Sequence, residues 1–314
     1  MTPIGTGVIY GQNLPLETDS WRPLVAGAFA GGPGSSVDDT HPRSGMWLKG
    51  YGLFAHEDDG GIAPGFTANT GGIIVGAQTA LNDAVTVGAA ANYAQVSVSF
   101  DDAEGAEHVD QFKAAAYVRY EDGALYIRGL VGVSTSQFHV ARMADPTTVA
   151  EGRFSGTGGA FFAEIGRAID LDYITVTPSL RLGYVGARVG GFDETGAQSL
   201  DLTVSSAGLD SFTSLAGIKI EKTFRLGEGS AFNTAVNFGW EHQLLDTAET
   251  LDAAYAGGPT NFIAGDELPR DGLVVGVKLG GQALGRVHWF AGYDIKLAGP
   301  FTDQTAAAGL KVRF

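Results

Sequence analysis

The sequence predicts an all-β fold, a transmembrane antiparallel up-and-down β-barrel of about twelve strands. Apolar and polar residues alternate with a period of two along many segments, as expected for strands whose two faces meet different surroundings. Glycine is abundant at 47 residues and 18% of residues are charged, against about a quarter in typical soluble domains. Short and long connections also alternate along the chain, which is typical of barrels that cross a membrane.

Strands and turns fill the chain from residue 45 onward. In the segment 174–182, Leu180 and Leu182 lie on one predicted face. Thr177 and Arg181 lie on the opposite face, so that one side suits lipid and the other suits water. The predicted strands cover residues 45–56, 68–81, 84–100, 107–121, 123–139, 153–169, 173–189, 208–225, 230–246, 269–281, 285–297 and 303–314.

The connections fall into two classes by length. An even number of strands joined in this way places both ends of the barrel on one side of the membrane, the periplasmic side in a bacterial barrel. A Greek-key sandwich gives no reason for such a regular alternation. The short connections are residues 81–83, 121–123, 170–172, 226–229 and 281–284, and the long ones are residues 56–67, 101–106, 140–152, 190–207 and 246–268.

Residues 1–44 form a separate segment ahead of the predicted barrel at 45–314. One short helix is predicted to begin at Asp19 or Ser20, with Pro23 tolerated in its first turn. Residues 31–36 (GGPGSS) are predicted to be a flexible linker. The first basic residue is Arg22 and no secretory leader precedes it, so we expect this chain to be a fragment that has lost its leader.

Composition narrows the function. The chain contains no cysteine, which excludes disulfides and thiolate metal sites. Its net charge of -15 argues against a nucleic-acid partner. Motifs for a serine nucleophile, a zinc protease and a phosphate-binding loop are missing. We therefore expect no catalytic residue, no cofactor and no metal site.

Several segments resemble, in the correct order, the C-terminal β-domains of autotransporters, the translocator barrels of type V secretion. The resemblance covers roughly residues 45 to 314. It does not extend to the tandem-asparagine motif of the self-processing subgroup, so cleavage of a passenger is not implied. The segments are MWLKGYG at 46–52, TGGIIVGA at 70–77, VGAA at 87–90, PSLRLGY at 178–184, FDETGA at 192–197 and AGLKVRF at 308–314.

The resemblance implies a barrel in the outer membrane of a Gram-negative bacterium, with a helical segment threading the pore. Residues 1–44 would then be the linker or the end of an upstream passenger, and the barrel would anchor and export that passenger. The implied partners are outer-membrane lipids, the barrel-assembly machinery and the chain's own passenger. Two alternatives stay open: a self-standing diffusion pore, and an outer-membrane hydrolase with its site on the outer loops.

Two sets of candidate residues follow. At the C-terminus, Gly309, Leu310, Val312 and Phe314 are predicted to carry a membrane-assembly signal, because strand addition reads backbone bonds and alternate side chains; the alternative is an ordinary edge strand. A second set of charged residues is predicted to line the lumen; the alternative is that they form the solvated side of a sheet. They are Lys113, Arg119, Arg128, Arg181, Lys219, Glu221, Glu241, Lys278, Arg286, Asp294 and Lys296.

Aromatic residues near the predicted strand ends are candidates for interfacial belts, where amphipathic rings prefer the headgroup region. Core packing is the alternative. The candidates are Trp47, Tyr93, Tyr120, Tyr184, Trp240, Trp289 and Tyr293.

Overall fold

The computed structural model describes residues 20–28, 44–59, 65–101, 105–225, 231–245, 250–255, 258, 261–264, 269–283 and 287–313. One α-helix lies in these ranges, α1 (Arg22–Ala28). The strands are β1 (Gly45–Glu57), β2 (Phe66–Ala80), β3 (Val85–Phe100), β4 (Gly105–Asp122), β5 (Leu125–Asp145), β6 (Thr148–Arg167), β7 (Ile169–Leu171), β8 (Ile174–Val189), β9 (Phe192–Asp193), β10 (Leu202–Val204), β11 (Ala207–Arg225), β12 (Ala231–Gln243), β13 (Thr250–Tyr255), β14 (Asn261–Ala264), β15 (Asp271–Ala283), β16 (Val287–Ala298) and β17 (Phe301–Arg313), with a 3-10 turn at Gln198–Leu200.

Twelve long strands close into an antiparallel barrel. Their order is β1, β2, β3, β4, β5, β6, β8, β11, β12, β15, β16 and β17, and β17 pairs with β1 from Gly45↔Arg313 to Glu57↔Phe301. The consecutive barrel strands β8 and β11, which are separated by the long connection after Val189, pair from Ala207↔Val189 to Glu221↔Thr175. The fold prediction is confirmed, and the predicted strands agree with the observed ones to within a few residues for most elements.

We call one end of the barrel the turn end. It carries the tight connections, the start of β1 and the end of β17. Residues 81–84 join β2 to β3, and the backbone N–H groups of Ala84 and Val85 donate to Asn82 Oδ1 at 2.9 and 2.8 Å. Gly123 between β4 and β5 and Asp172 between β7 and β8 both have positive φ, at 57° and 58°. These local side-chain and left-handed conformations allow each chain reversal in a few residues.

At the opposite end, here the loop end, β5 and β6 form the longest hairpin, of 21 and 20 residues. Transmembrane strands need only about 9–11 residues, so this hairpin projects well beyond a membrane. The predicted long loop at 140–152 is wrong, because β5 continues to Asp145 and β6 begins at Thr148. The Thr147 backbone N–H donates to Asp145 Oδ1 at 2.8 Å and closes the turn.

A small sheet covers the inside of the loop end. It consists of β9, β10, β13 and β14, all within the two longest connections. Leu202, Val204 and Ala253 from this sheet share one apolar cluster with inward-facing residues of the barrel strands, such as Phe66 and Phe301. We call this sheet and its cluster the lid. The two connections predicted at 190–207 and 246–268 are therefore partly folded structure.

The outward face of the barrel is apolar and the inward face is largely polar. Exposed outward residues include Ile73 at 56%, Val133 at 63% and Phe161 at 50%, whereas the inward Lys113 is 0% exposed. An apolar outer band is what a barrel in lipid presents. No helix among the residues described above is long and apolar enough to cross a membrane.

Most of the predicted belt aromatics lie on this outward face. Tyr93, Tyr184, Trp240 and Tyr293 are exposed towards the loop end, while Tyr120 is exposed towards the turn end, where Trp289 stacks on Phe232 at 6.1 Å between ring centroids.

Trp47 is a correction to that set, because it faces inward and is only 5% exposed. Its indole donates to the Tyr117 hydroxyl at 3.0 Å, and a Cβ on Gly76 would lie 2.2 Å from its ring. Trp47 therefore packs inside the barrel.

Candidate functional site: the barrel lumen

Helix α1 lies inside the barrel. Trp21, Leu24 and Val25 follow the i, i+3, i+4 spacing of one helical face, and they are 0%, 1% and 1% exposed. They share a cluster with inward residues of the neighbouring strands, among them Ile74 and Phe162. The helix is too short to be stable alone, so packing against the barrel wall maintains it.

Trp21 occupies a gap in the wall at Gly132. A Cβ added to Gly132 would lie 2.6 Å from the Trp21 ring, so a side chain at that position would displace the indole. The ammonium of Lys113 lies 5.1 Å from the ring centroid and donates to Ser20 Oγ at 2.6 Å. A cation over an indole face is attracted by the ring electrons, and both contacts fix the start of the helix against β4 and β5.

Two further polar contacts hold the helix on its other flank. Arg22 Nη1 donates to Asp303 Oδ2 at 2.9 Å, and the Asp303 side chain is 0% exposed. Lys49 Nζ donates to the carbonyl oxygen of Pro23 at 2.8 Å. Both charged barrel side chains are buried, so each needs such a partner to offset the cost of leaving water.

A row of charges crosses the inner wall over four adjacent strands. Arg119, Arg128, Glu164 and Arg181 are direct cross-strand neighbours on β4, β5, β6 and β8. Glu164 accepts from Arg181 at 2.5 Å and lies 3.7 Å from Arg128. Facing arginines would repel, and Glu121 lies 2.9 Å from Arg119 and 3.6 Å from Arg128 to offset this.

The inner faces of β11, β12, β15 and β16 are different, and we call them the open side. A cavity of about 310 Å³ runs along them. Lys296 donates to Glu241 at 2.7 Å, and Lys219 pairs with Glu221 along β11. We call the inner faces of β1 to β6, together with α1, the packed side.

The structure places ten of the eleven predicted lumen-lining residues on inward faces. Lys113 contacts Ser20 and Trp21 at the start of the helix. The charged row contains Arg119, Arg128 and Arg181. The other six lie on the open side. Arg286 lies outside the described residues. That these side chains line a conduit remains a prediction.

Sequence reasoning missed Arg22, Lys49 and Asp303, which hold α1, and Glu164, which pairs with Arg181 in the charged row. Lys49, Glu164 and Asp303 each alternate with outward residues inside a predicted strand. This alternation could have identified them as inward-facing.

The predicted assembly signal divides between two faces of β17. Leu310 and Val312 point outward at 50% and 42% exposure. Gly309 faces inward, where a Cβ would lie 2.3 Å from the Phe290 ring. Phe314 lies outside the described residues. Because β17 pairs with both β16 and β1, it is not a free edge in the closed barrel, and its role in assembly remains a prediction.

A closed twelve-stranded barrel with an apolar exterior and a helix in its lumen narrows the choice of family. A family model described as the autotransporter β-domain matches residues 46–294. The chain belongs to the autotransporter β-domain family. The fold is similar to that of the translocator domain of autotransporter NalP from Neisseria meningitidis, with a TM-score of 0.75 at 17% identity over 98% of this chain and 99% of that one.

Two curated relatives are much longer than this chain. It is 21% identical over 289 residues to an extracellular serine protease of Serratia marcescens, covering 91% of this chain and 27% of the relative. It is 21% identical over 293 residues to outer membrane protein B of Rickettsia typhi, covering 86% of this chain and 17% of the relative. The chain thus spans about a quarter or less of the curated relatives it matches.

Family membership gives the setting of the lumen. This autotransporter β-domain is a structural domain of the Gram-negative outer membrane that serves as anchor and translocator. In such barrels short turns face the periplasm and long loops face the exterior. The turn end is therefore periplasmic, and the lid and the long β5–β6 hairpin lie outside.

Proposed function

We propose that this barrel carries a passenger attached ahead of its N-terminal residues, and that α1 afterwards holds the end of that passenger in the lumen. Residues 1–44 are the passenger end and linker in this proposal, and residues 45–314 are the barrel. The observation that carries it is the set of contacts between α1 and the inner wall.

The direction of α1 supports an outward path for what precedes it. Arg22 contacts Asp303, which pairs with Ala55 near the exterior end of β1. One residue later, the Pro23 carbonyl contacts Lys49, six positions nearer the periplasmic start of that strand. The helix thus begins towards the exterior, while β1 begins at the periplasmic end.

The contacts also suit an anchor. Burial of Trp21, Leu24 and Val25 supplies an apolar contribution of about 1.5–3 kcal/mol for each side chain. The buried Arg22–Asp303 pair adds directional selectivity, because either charge alone would be costly in the lumen. The barrel takes no part in a chemical step in this proposal, so any activity belongs to the passenger.

Insertion would use the last strand. The outward Leu310 and Val312 and the terminal Phe314 present alternate apolar side chains, and strand addition at a partner's sheet edge recognises such a pattern. In this proposal, the partner whose sheet edge pairs with β17 is the barrel-assembly machinery. Once β17 has paired with β1, Leu310 and Val312 face outer-membrane lipid.

A self-standing diffusion pore is the second candidate, because the cavity on the open side leaves part of the lumen unfilled. The two candidates differ in whether the segment ahead of α1 reaches the exterior.

Surface shaving tests the proposal. A secretion leader and an epitope tag are placed ahead of Met1, and intact cells are treated with protease. We expect loss of the tag while the barrel remains in the outer membrane. A tag that stays protected in cells with a correctly inserted barrel would contradict the proposal and favour the diffusion pore. Trp240→Ala, on the outward face, serves as a control with an aromatic removed outside the lumen.

A further inference from the structure

We propose that the outward face of β4, β5, β6 and β8 binds the sugar-linked phosphates of a phosphorylated glycolipid in the outer leaflet of the membrane. This function goes beyond export, because it concerns the outside of the barrel wall and not the lumen. Counted from the turn end of its own strand, each side chain of the site is fourteen residues away, so that all four lie at a similar height. These exposed side chains, which we call the basic arc, are His108, His139, Arg153 and Arg188.

The centre of the basic arc is available to an anion. His139 and Arg153 are direct cross-strand neighbours on β5 and β6, and both are exposed. Within the described part of the chain, neither side chain makes a hydrogen bond or an ion pair. A guanidinium presents a planar fork of donors that matches phosphate geometry, and the neighbouring imidazole adds a further N–H donor. The pair therefore suits a phosphate group.

The acidic side chains of this region lie beside the centre of the arc and have other surroundings. Asp110 accepts a hydrogen bond from the Tyr93 hydroxyl at 2.7 Å. Asp210 pairs with Arg188 at 2.9 Å, at one flank of the arc. Glu151 lies further from the membrane on β6. None of these carboxylates forms an ion pair with the two central side chains, so the centre keeps its preference for anions.

Between the lipid-facing band and the arc, the wall of β5 and β6 offers a polar surface without charge. The outward apolar band ends with Val133 on β5 and Phe161 on β6, which are 63% and 50% exposed. Hydroxyl and amide groups can donate to and accept from the hydroxyl groups of a sugar. Four exposed side chains of this kind lie between the band and the arc: Thr135, Gln137, Ser155 and Thr157.

The height of the arc above the band favours a glycolipid over a compact phospholipid. His139 lies six residues beyond Val133 along β5, roughly 20 Å at about 3.3 Å per residue, or about 15 Å of height at a strand tilt of about 40°. The polar region of a phospholipid leaflet extends only about 5–8 Å beyond the hydrocarbon core. A phosphate carried on a sugar headgroup reaches the arc, while the acyl chains of the same lipid lie against the apolar band.

Lipid titration of the purified full chain, followed by native mass spectrometry, tests the proposal. The probes are a rough lipopolysaccharide with phosphorylated core sugars, the same glycolipid made without core phosphates, and phosphatidylglycerol. We expect the wild type to bind the first probe about tenfold more tightly than either of the others, because only that probe places phosphate at the arc.

Substitutions on one strand locate the site. Arg153→Gln should weaken binding of the phosphorylated glycolipid about tenfold, because it removes a charge-assisted hydrogen bond. The control Arg167→Gln makes the same change on the same outward face of β6, but at the periplasmic end, and should bind as the wild type does. His139→Gln should weaken binding by a smaller factor and gives a second measurement should Arg153→Gln fail to fold, which heat-modifiable gel mobility reports.

Each other result overturns the proposal. Equal binding of the glycolipid with and without core phosphates would remove the phosphate assignment, and equally tight binding of phosphatidylglycerol would remove the glycolipid. Unchanged binding by folded Arg153→Gln, or equal weakening by Arg167→Gln, would remove the basic arc as the site. Surface shaving of the tagged passenger is independent of these outcomes.

Discussion

The packed side and the open side of the lumen belong to one barrel but differ in what satisfies their side chains. On the packed side, Trp21 and Leu24 bury apolar surface against the wall and Lys113 donates to Ser20, just ahead of α1. On the open side, Lys278 faces the cavity and Glu241 pairs with Lys296. The difference indicates that the wall from β17 through β1 to β6 holds the helix, and that the side of the helix facing β11 to β16 borders the cavity.

Removing the indole on the packed side should have the largest effect. Trp21→Ala leaves a cavity at Gly132, and large-to-small changes at buried aromatic positions cost about 3–5 kcal/mol. Hydrogen exchange at the Val25 amide, which donates to the Trp21 carbonyl at 2.9 Å, should lose its protection. Trp240→Ala should leave that protection unchanged; equal loss in both variants would remove the distinction between lumen and exterior.

The lid should be nearly as sensitive, through a buried ion pair that joins β5 to the residue after β9. Arg142 donates to both carboxylate oxygens of Glu194 at 3.0 and 2.5 Å, and the side chains are 2% and 0% exposed. Breaking a buried pair costs about 3–5 kcal/mol, so Arg142→Ala should lower the free energy of unfolding and open the lid to protease. Arg188→Ala breaks the exposed pair with Asp210 and should cost about 0–1 kcal/mol.

Glu241→Gln on the open side should have a smaller effect. It weakens the hydrogen bond with Lys296, and bonds to charged groups contribute about 1.5–3 kcal/mol. Water in the cavity should resolvate the lysine and keep the loss at the low end of that range. Chemical denaturation of the full chain measures it, and a loss as large as that of Trp21→Ala would contradict a hydrated open side.

The smallest effect concerns the exterior turn of the β5–β6 hairpin. Hydrogen bonds from the Thr147 backbone and from Thr148 and Thr147 side chains hold the pKa of Asp145 below its ordinary value near 3.8. The contribution of the ionised Asp145 carboxylate to the stability of the turn is therefore present above that ordinary pKa and is lost as pH falls through the lowered value. The protection of the Thr147 amide from exchange, relative to its intrinsic rate at each pH, should fall over that acidic range. Asp145→Asn should abolish this pH dependence of the protection.

Period-two alternation was enough to predict the number of barrel strands and most of their limits, because lipid and lumen impose opposite polarity on the two faces. It failed at Trp47, since inward residues of β1 that pack on α1 are also apolar and the pattern alone does not fix which face is inside. It failed again at 140–152, where the alternation continues through Val140 into a hairpin outside the membrane.

The charged row shows a different limit. Arg119, Arg128, Glu164 and Arg181 are neighbours only because of the stagger between β4, β5, β6 and β8. Loop lengths and alternation do not set that stagger uniquely. The inward position of Arg181 could therefore be predicted, while its pairing with Glu164 could not. The lid was missed because its short strands are stabilised by distant barrel residues and carry little local signal.

Site-specific cross-linking tests most directly whether α1 lies in the lumen with its first residues towards the exterior. The native chain has no cysteine, so Arg22→Cys with Asp303→Cys introduces the only thiols, and a protease site inserted at Gly34 separates helix from barrel. After treatment with a short bismaleimide in intact membranes and cleavage, we predict that the helix fragment stays attached to the barrel. Arg22→Cys with Gln304→Cys, the next residue on the outward face of β17, should not cross-link. Equal cross-linking in both pairs, or none at Asp303→Cys, would contradict the account.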